Sequence, residues 1–254
     1  MAKVLSILNF KGGVGKTTTS VNLGAALALA GKQVLIIDLD GQMNSTVILG
    51  KREETEENIY DFLVGDTTEV FCYSTGTDGL DYVPSSTEMR HIELQLSSRK
   101  SRERILKKFT DKLKEEYDFI LLDCPPGKGI IIDNAMTASD GIIVPIECDV
   151  LSLQGLTEIV SEVGEVKQEL NPDLKIVGFL ATKYDNRLRL NRDILESLQE
   201  NFPGQVFDTR IRRNVSMAEY CGEQRHIFDY APESYGAQDY MSLANEIIQK
   251  ENLI

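Results

Sequence analysis

The chain has 254 residues, with 27 Lys and Arg against 40 Asp and Glu, a formal net charge of −13 at pH 7. That length supports one large α/β domain spanning residues 1–254 with a substantial core. The acidic balance disfavours indiscriminate DNA or membrane attachment through overall charge while leaving room for a local basic patch, and no apolar run approaches the ~20 residues of a membrane span.

Residues 4–8 read as a buried strand, and an N-terminus that enters a strand at once predicts no signal peptide. Residues 11–18, KGGVGKTT, follow it, and residues 17–30 read as a small-residue helix closed by Gly31. A glycine-rich turn between strand and helix points several backbone N–H groups at one spot, on the positive end of a helix dipole. Phosphate is the natural occupant. Gly12, Gly13 and Gly15 let the backbone approach the anion, with Val14 and Thr18 completing the loop. Lys16 is placed to reach the β- and γ-phosphates, and the Thr17 hydroxyl to ligate Mg²⁺. Phe10 stands where the general P-loop pattern has a glycine, and an extra lysine, Lys11, opens the loop.

Residues 33–38 form a near-continuous apolar run, as buried parallel strands do. The run ends in Asp38 and continues as DLDGQMNST through residue 46. In such sheets ligands bind outside the carboxyl ends of the strands. Asp38 and Asp40 point the same way if the strand persists and splay if the chain turns. The polar residues 51–58 and the Ser/Thr-rich residues 73–79 read as surface excursions, with a short strand at 80–83. Residues 104–113 have helical period, with Ile105, Leu106, Phe109 and Leu113 on one face. The basic run of Arg99, Lys100, Arg102, Arg104, Lys107 and Lys108, diluted by Glu103, reads as a solvated helix face.

Residues 119–123 end a third apolar strand in Asp123, followed by Cys-Pro-Pro. Alongside a P-loop this is the expected acid for Mg²⁺, bonded directly or through water. Cys124 reads as a small buried hydrophobe. Further strands are expected at 141–146, 175–181 and 205–207. The alternation predicts a doubly wound, mostly parallel sheet with helices on both faces. Four cysteines (Cys72, Cys124, Cys148, Cys221) without C-x-x-C spacing argue for neither a disulfide framework nor a zinc site, and a reducing cytoplasm is the simplest home. Two histidines leave a His-based triad little to draw on.

The loop with its leading lysine resembles the deviant Walker A loop of the ParA/MinD superfamily of ATPases. By that resemblance Lys11 reaches across a dimer interface to the nucleotide of the other subunit. The segment from Asp38 is similar to the D-x-D-P-Q-x-N switch of ParA-type members, with Gly41 in place of proline and Met43 in place of glycine. The resemblance makes Asp40 the residue that orients the attacking water and has Asp38 hold Mg²⁺ through water. The D-C-P-P element looks like the D-x-P-P of the same group. Residues 182–185, 209–214 and 230–237 resemble its T-x-Y-D, P-R-N and Y-x-P-x-S-x-G-A stretches. Arg212, Arg213 and Asn214 become purine-pocket candidates, with Arg212 replacing the proline.

The function implied is an ATP-dependent, homodimerising ATPase, using ATP and Mg²⁺, that binds nucleoid DNA without sequence preference. It would position or segregate a cargo, such as a plasmid, a chromosome region or a carboxysome-like organelle, with an adaptor that stimulates hydrolysis. The expected setting is cytoplasmic and nucleoid-associated, with no membrane. Arg187, Arg189, Arg192 and Arg210 are the DNA-binding candidates, near Arg212 and Arg213, while Ser216 stands where many relatives carry a basic residue. The leading alternative is an ATP-dependent small-molecule enzyme of the same fold. A MinD-like membrane switch needs a basic amphipathic C-terminal helix, which residues 244–254 do not supply. An iron–sulfur reductase needs paired cluster cysteines, and a sequence-specific repressor needs a helix-turn-helix, for which there is no room ahead of Lys11.

Overall fold

The computed structural model describes residues 1–50, 57–149, 152–220 and 224–250. Most of the polar stretch at 51–58, together with Cys221 and the last four residues, lies outside them. The apolar runs are strands: β1 (Lys3–Ile7), β2 (Val34–Asp38), β3 (Tyr73–Thr77), β4 (Leu80–Val83), β5 (Phe119–Asp123), β6 (Gly141–Glu147) and β7 (Lys175–Thr182). They form one seven-stranded sheet in the order β3-β4-β2-β5-β1-β6-β7, parallel throughout except for the β3–β4 pair.

Helices cover both faces, as expected, and the strands show why their apolar runs are unbroken. Leu35 and Ile37 pack one way, with Phe109, Ala135 and Ile159. Val34 and Ile36 pack the other way, with Leu23, Leu27 and Leu243. The first face is covered by α3 (Ile59–Val64), α4 (Ile92–Leu96), α5 (Ile105–Leu113), α6 (Ile130–Ala138), α7 (Ser152–Glu169) and α8 (Arg189–Asn201). The second is covered by α1 (Lys16–Leu29), α10 (Ile227–Tyr230) and α11 (Tyr235–Lys250). The remaining short helices are α2 (Asn44–Leu49) and α9 (Ser216–Glu219).

Two expectations change. Residues 73–79 are not a surface excursion: residues 73–77 are the antiparallel edge strand β3, turned back on β4 through Gly76 and Gly79, both at positive φ. Their polar alternation is that of an edge strand with one wet face, which composition alone reads as loop. Residues 205–207 are not a strand of the sheet. They make an isolated bridge to β7, with Phe179 N donating to Gln205 O (2.7 Å) and Phe207 N to Phe179 O (3.1 Å). Gly178 admits this segment, since a Cβ there would lie 2.6 Å from the Phe207 ring.

Candidate nucleotide site

Three adjacent strands carry the site at their carboxyl ends. Asp38 of β2 is the register partner of Asp123 of β5, and Asp123 is also the partner of Ile7 of β1, from which the glycine-rich loop departs. β1 lies between β5 and β6, so the loop leaves the sheet where the strand order reverses, the usual place for a ligand.

The loop takes its shape from Gly13 (φ 76°) and Gly15 (φ 93°), conformations that L side chains rarely adopt. Gly15 is the N-cap of α1, and a Cβ on Gly12 or Gly13 would meet nothing within 4 Å, so the loop's concave side is open. Lys11 N donates to Asn9 Oδ1 (2.9 Å), whose amide is itself fixed on Pro145 O (2.8 Å). Thr182 Oγ1, at the end of β7, donates to Val14 O (2.8 Å), and Gly127 N donates to Phe10 O (2.9 Å). Loop, β6, β7 and the turn after β5 are thereby tied together.

Lys16 is 7% exposed and its ammonium donates to Lys11 O (2.9 Å), curling back over the loop. Burial lowers its pKa, opposed by the charges of Asp123 and Asp40 among others. Thr18 lies one residue beyond Thr17 in the first turn of α1. Asp38 and Asp123 are almost wholly buried. Burial lifts the carboxyl pKa of both, and the charge of Asp123 adds to the rise at Asp38. Hydroxyl bonds oppose it: Ser20 Oγ donates to Asp123 Oδ1 (3.0 Å), Ser45 donates to the other oxygen, and Thr17 acts on the same carboxyl. Thr46 holds Asp38 Oδ2 through its N–H (2.8 Å) and its hydroxyl (2.7 Å).

Strand β2 ends at Asp38 and the chain turns, so the two acids splay. Asp40 N donates to Asp38 Oδ1 (3.0 Å) and the half-buried Asp40 carboxylate accepts from Gln42 N (2.9 Å). The two departures in this segment have structural consequences. Met43 is left-handed (φ 58°, ψ 30°), where a glycine costs nothing and a side chain is strained. Gly41 lies against Arg90, and a Cβ there would be 2.9 Å from Arg90 Cγ and 3.2 Å from its N.

Residues 209–214 run beside the end of β7, with Ile211 N donating to Ala181 O (2.8 Å) and Tyr184 N to Ile211 O (2.9 Å). Arg212, Arg213 and Asn214 line a cavity of about 360 Å³ together with Gly15, Thr18 and Tyr240, on the α1 side of the phosphate loop. The cavity adjoins the phosphate loop, with which it shares Gly15 and Thr18. Arg212 forks onto Asp239 (Nη2 to Oδ1 2.6 Å) and lies 4.1 Å from the Tyr235 ring centre. Of the four arginines expected to meet DNA, three are tethered: Arg187 to Asp185 (2.7 Å), Arg189 to Asp193 (3.5 Å) and Arg192 to Asn186 O (2.6 Å). Arg210 stacks on Tyr184 (5.2 Å) and lines a second cavity of about 420 Å³ with Arg187, Arg212 and Arg213.

Residues 2–176 match the AAA domain family. The chain is 41% identical over 249 residues to the sporulation initiation inhibitor protein Soj of Bacillus subtilis, covering 97% of this chain and 98% of that one. It is 36% identical over 253 residues to the chromosome partitioning protein ParA of Caulobacter vibrioides, covering 98% and 95%. It also superposes on the crystal structure of cobyrinic acid a,c-diamide synthase from Mycobacterium smegmatis with bound ADP and magnesium, with a TM-score of 0.86 at 31% identity, covering 99% and 96%.

The chain belongs to the Soj/ParA family. As such it is an ATPase acting with ATP and Mg²⁺, and the residues present fit that ion. Two buried carboxylates lie side by side with raised pKa values, which a cation would relieve. Among the described residues no cluster of three or more His, Cys, Asp or Glu could cage a metal alone. Magnesium suits this sparse set, because it keeps waters and shares nucleotide phosphates. Ser20, Ser45, Thr46 and Asn9 were not singled out in the sequence. Ser20 follows Lys16 by one helical turn and Thr46 follows Asp38 by eight residues, the local signals that mark them, whereas Ser45 reaches Asp123 only through the β2–β5 pairing.

Proposed function

We propose that this ParA-family ATPase is a dimerising switch that binds DNA without sequence preference in its ATP state and so positions or segregates a cargo. What supports this most is the gathering of Lys11, Lys16, Asp38 and Asp123 at the carboxyl ends of three adjacent strands, in a chain similar along its whole length to Soj and ParA.

In this reading Gly12, Gly13, Val14, Gly15, Thr17 and Thr18 surround the phosphates with backbone N–H groups, and Lys16 neutralises the β- and γ-oxygens. Thr17, Asp38 and Asp123 would hold Mg²⁺, Asp38 through water, and the ion would supply positive charge against the phosphate oxygens. Asp40 orients the water for in-line attack. Lys11 of one subunit stabilises charge on the partner's γ-phosphate, as an arginine finger does. Arg212, Arg213 and Asn214 wall the purine. Hydrolysis removes the phosphate that holds dimer and switch loop together. Arg210 is the best placed of the DNA candidates, because Arg187, Arg189 and Arg192 must first leave Asp185, Asp193 and Asn186. A cargo-linked adaptor stimulates turnover, and the protein acts in the cytoplasm on the nucleoid. Among the described residues no helix is long and apolar enough to cross a membrane.

A second reading, an ATP-dependent enzyme acting on a small molecule, is favoured by the likeness to the diamide synthase. One experiment separates the two: binding of arbitrary-sequence duplex DNA with ATP, ADP or no nucleotide, in an Asp40→Ala variant that slows hydrolysis, over a salt series. ATP-dependent binding that weakens steeply with salt supports the switch. No binding at low salt, in protein that dimerises with ATP, removes DNA and brings the enzyme forward.

A further inference from the structure

The basic run between residues 99 and 108 lies at the surface, as expected, but its side chains divide into two sets. Arg102 pairs with Glu103 (3.1 Å) and Lys107 with Asp111 (3.1 Å), which Lys114 also holds (3.2 Å). Arg99, Lys100 and Lys108 turn elsewhere. With Lys112 they rim a cavity of about 380 Å³ between α3 and α5, whose floor is Phe62 and Ile105.

Among the described residues no carboxylate lines this cavity, and none of the four rim cations has an ion-pair partner. Two of them are anchored on backbone. Arg99 donates to Leu63 O (2.5 Å) and lies over Gly65, where a Cβ would meet its guanidinium at 2.4 Å. Lys112 donates to Thr68 O (2.7 Å) with its ammonium 5.7 Å from the Phe62 ring centre. The one acid of α5 that could reach the rim, Asp111, is held by Lys107 and Lys114. Four cations around one hollow, without an ion-pair partner among the described residues, repel one another and attract an anion. The cavity shares no residue with the nucleotide site or the arginines near Tyr184.

We propose that this cavity docks an acidic segment of a partner protein, with carboxylates on Arg99, Lys100 and Lys108 and an apolar side chain on Phe62 and Ile105. The apolar floor decides the class of occupant. A DNA duplex is convex and offers hydrated phosphates, so it would leave the floor uncovered. A peptide that carries Asp or Glu beside Leu or Phe covers both floor and rim.

The test uses the full chain with ATP and a fluorescein-labelled peptide, Glu-Glu-Leu-Phe-Glu-Glu, followed by fluorescence anisotropy. Saturable binding is expected, weakened about tenfold or more by Lys100→Glu with Lys108→Glu. It should weaken similarly when the peptide's Leu and Phe become Gly, while ATP hydrolysis by the variant stays unchanged. A thermal melt of the variant, both substitutions being at exposed lysines, reports its folding, and Lys108→Ala should give an intermediate loss. Absent saturable binding, equal binding by wild type and variant, or equal binding of the Gly peptide would each overturn the proposal. So would displacement of the peptide by a short DNA duplex that itself loses affinity in the variant, which would make this a nucleic-acid face.

Discussion

Lys11 Nζ lies 2.5 Å from Asp149 Oδ2, so the lysine that opens the phosphate loop is held by its own chain, two residues past the end of β6. Both side chains are 38% exposed, which places the pair at no more than about 1 kcal/mol. If Lys11 serves the partner's nucleotide, dimerisation has to open this pair, and the two contacts compete for one ammonium. Asp149→Asn is therefore expected to lower the ATP concentration needed for dimerisation by up to about fivefold. Lys11→Ala is expected to keep monomeric nucleotide binding and lose the dimer. Sedimentation across an ATP series reads both. A stable ATP dimer of the Lys11→Ala protein, or an unmoved midpoint in Asp149→Asn, would reject the exchange.

The loop after β2 responds in opposite senses to its two unusual residues. Met43→Gly relieves a left-handed side chain and should stabilise the protein by about 1 kcal/mol. Gly41→Pro brings ring atoms against Arg90, whose N and Cγ already stand 3.2 and 2.9 Å from a Cβ at that position, and should cost about 1–3 kcal/mol. Urea unfolding of the two variants measures this directly. A Gly41→Pro protein as stable as wild type would mean that Arg90 yields freely.

Much of this was legible in the sequence because the signals were local. The glycine positions at 13 and 15, the strands ending in Asp38 and Asp123, and α5 with Leu106, Phe109 and Leu113 buried follow from period and residue type. The edge strand β3 was not legible, since a polar strand paired on one side has the composition of a loop. Nor was the fate of the arginines. Arg187 forks onto an acid two residues away, whereas Arg212 meets Asp239 across 27 positions, and only the folded chain shows which acid each finds. The Ser45 hydroxyl escaped for the same reason, because its target Asp123 is brought beside the Asp38 segment only by the β2–β5 pairing.

The Asp38–Asp123 pair predicts an unusual pH response. Burial, with the charge of Asp123 at Asp38 and that of Asp40 at Asp123, raises the native carboxyl pKa values above their unfolded ones, so the native state binds protons more tightly. Stability of the nucleotide-free protein should then fall as pH rises from about 4 toward neutrality, and level off once both groups are ionised. Asp123→Asn removes one charge and should flatten that fall. Mg²⁺ with ADP should flatten it too, by neutralising the pair, and EDTA should restore it. Thermal melts at a series of pH values follow the effect, and a slope from this pair of the opposite sign, or one indifferent to Asp123→Asn, would refute the assignment.

Arg212 offers the sharpest test of the purine pocket. Its guanidinium makes a planar fork on the 7%-exposed Asp239 while lying over Tyr235 at 4.1 Å. Lysine is a point charge and can reproduce neither the fork nor the stack. Because the Arg212 side chain is 42% exposed, solvent screens part of the loss, and Arg212→Lys should cost about 1–2 kcal/mol of stability. The effect on binding should be selective. ATP affinity should drop by about tenfold as the wall beside Thr18 and Tyr240 loosens, whereas inorganic triphosphate, held only by the loop and Lys16, should bind as before. Isothermal titration with the two ligands compares them on one protein. Equal losses for both would place Arg212 on the phosphates, and no loss for either would remove it from the nucleotide site.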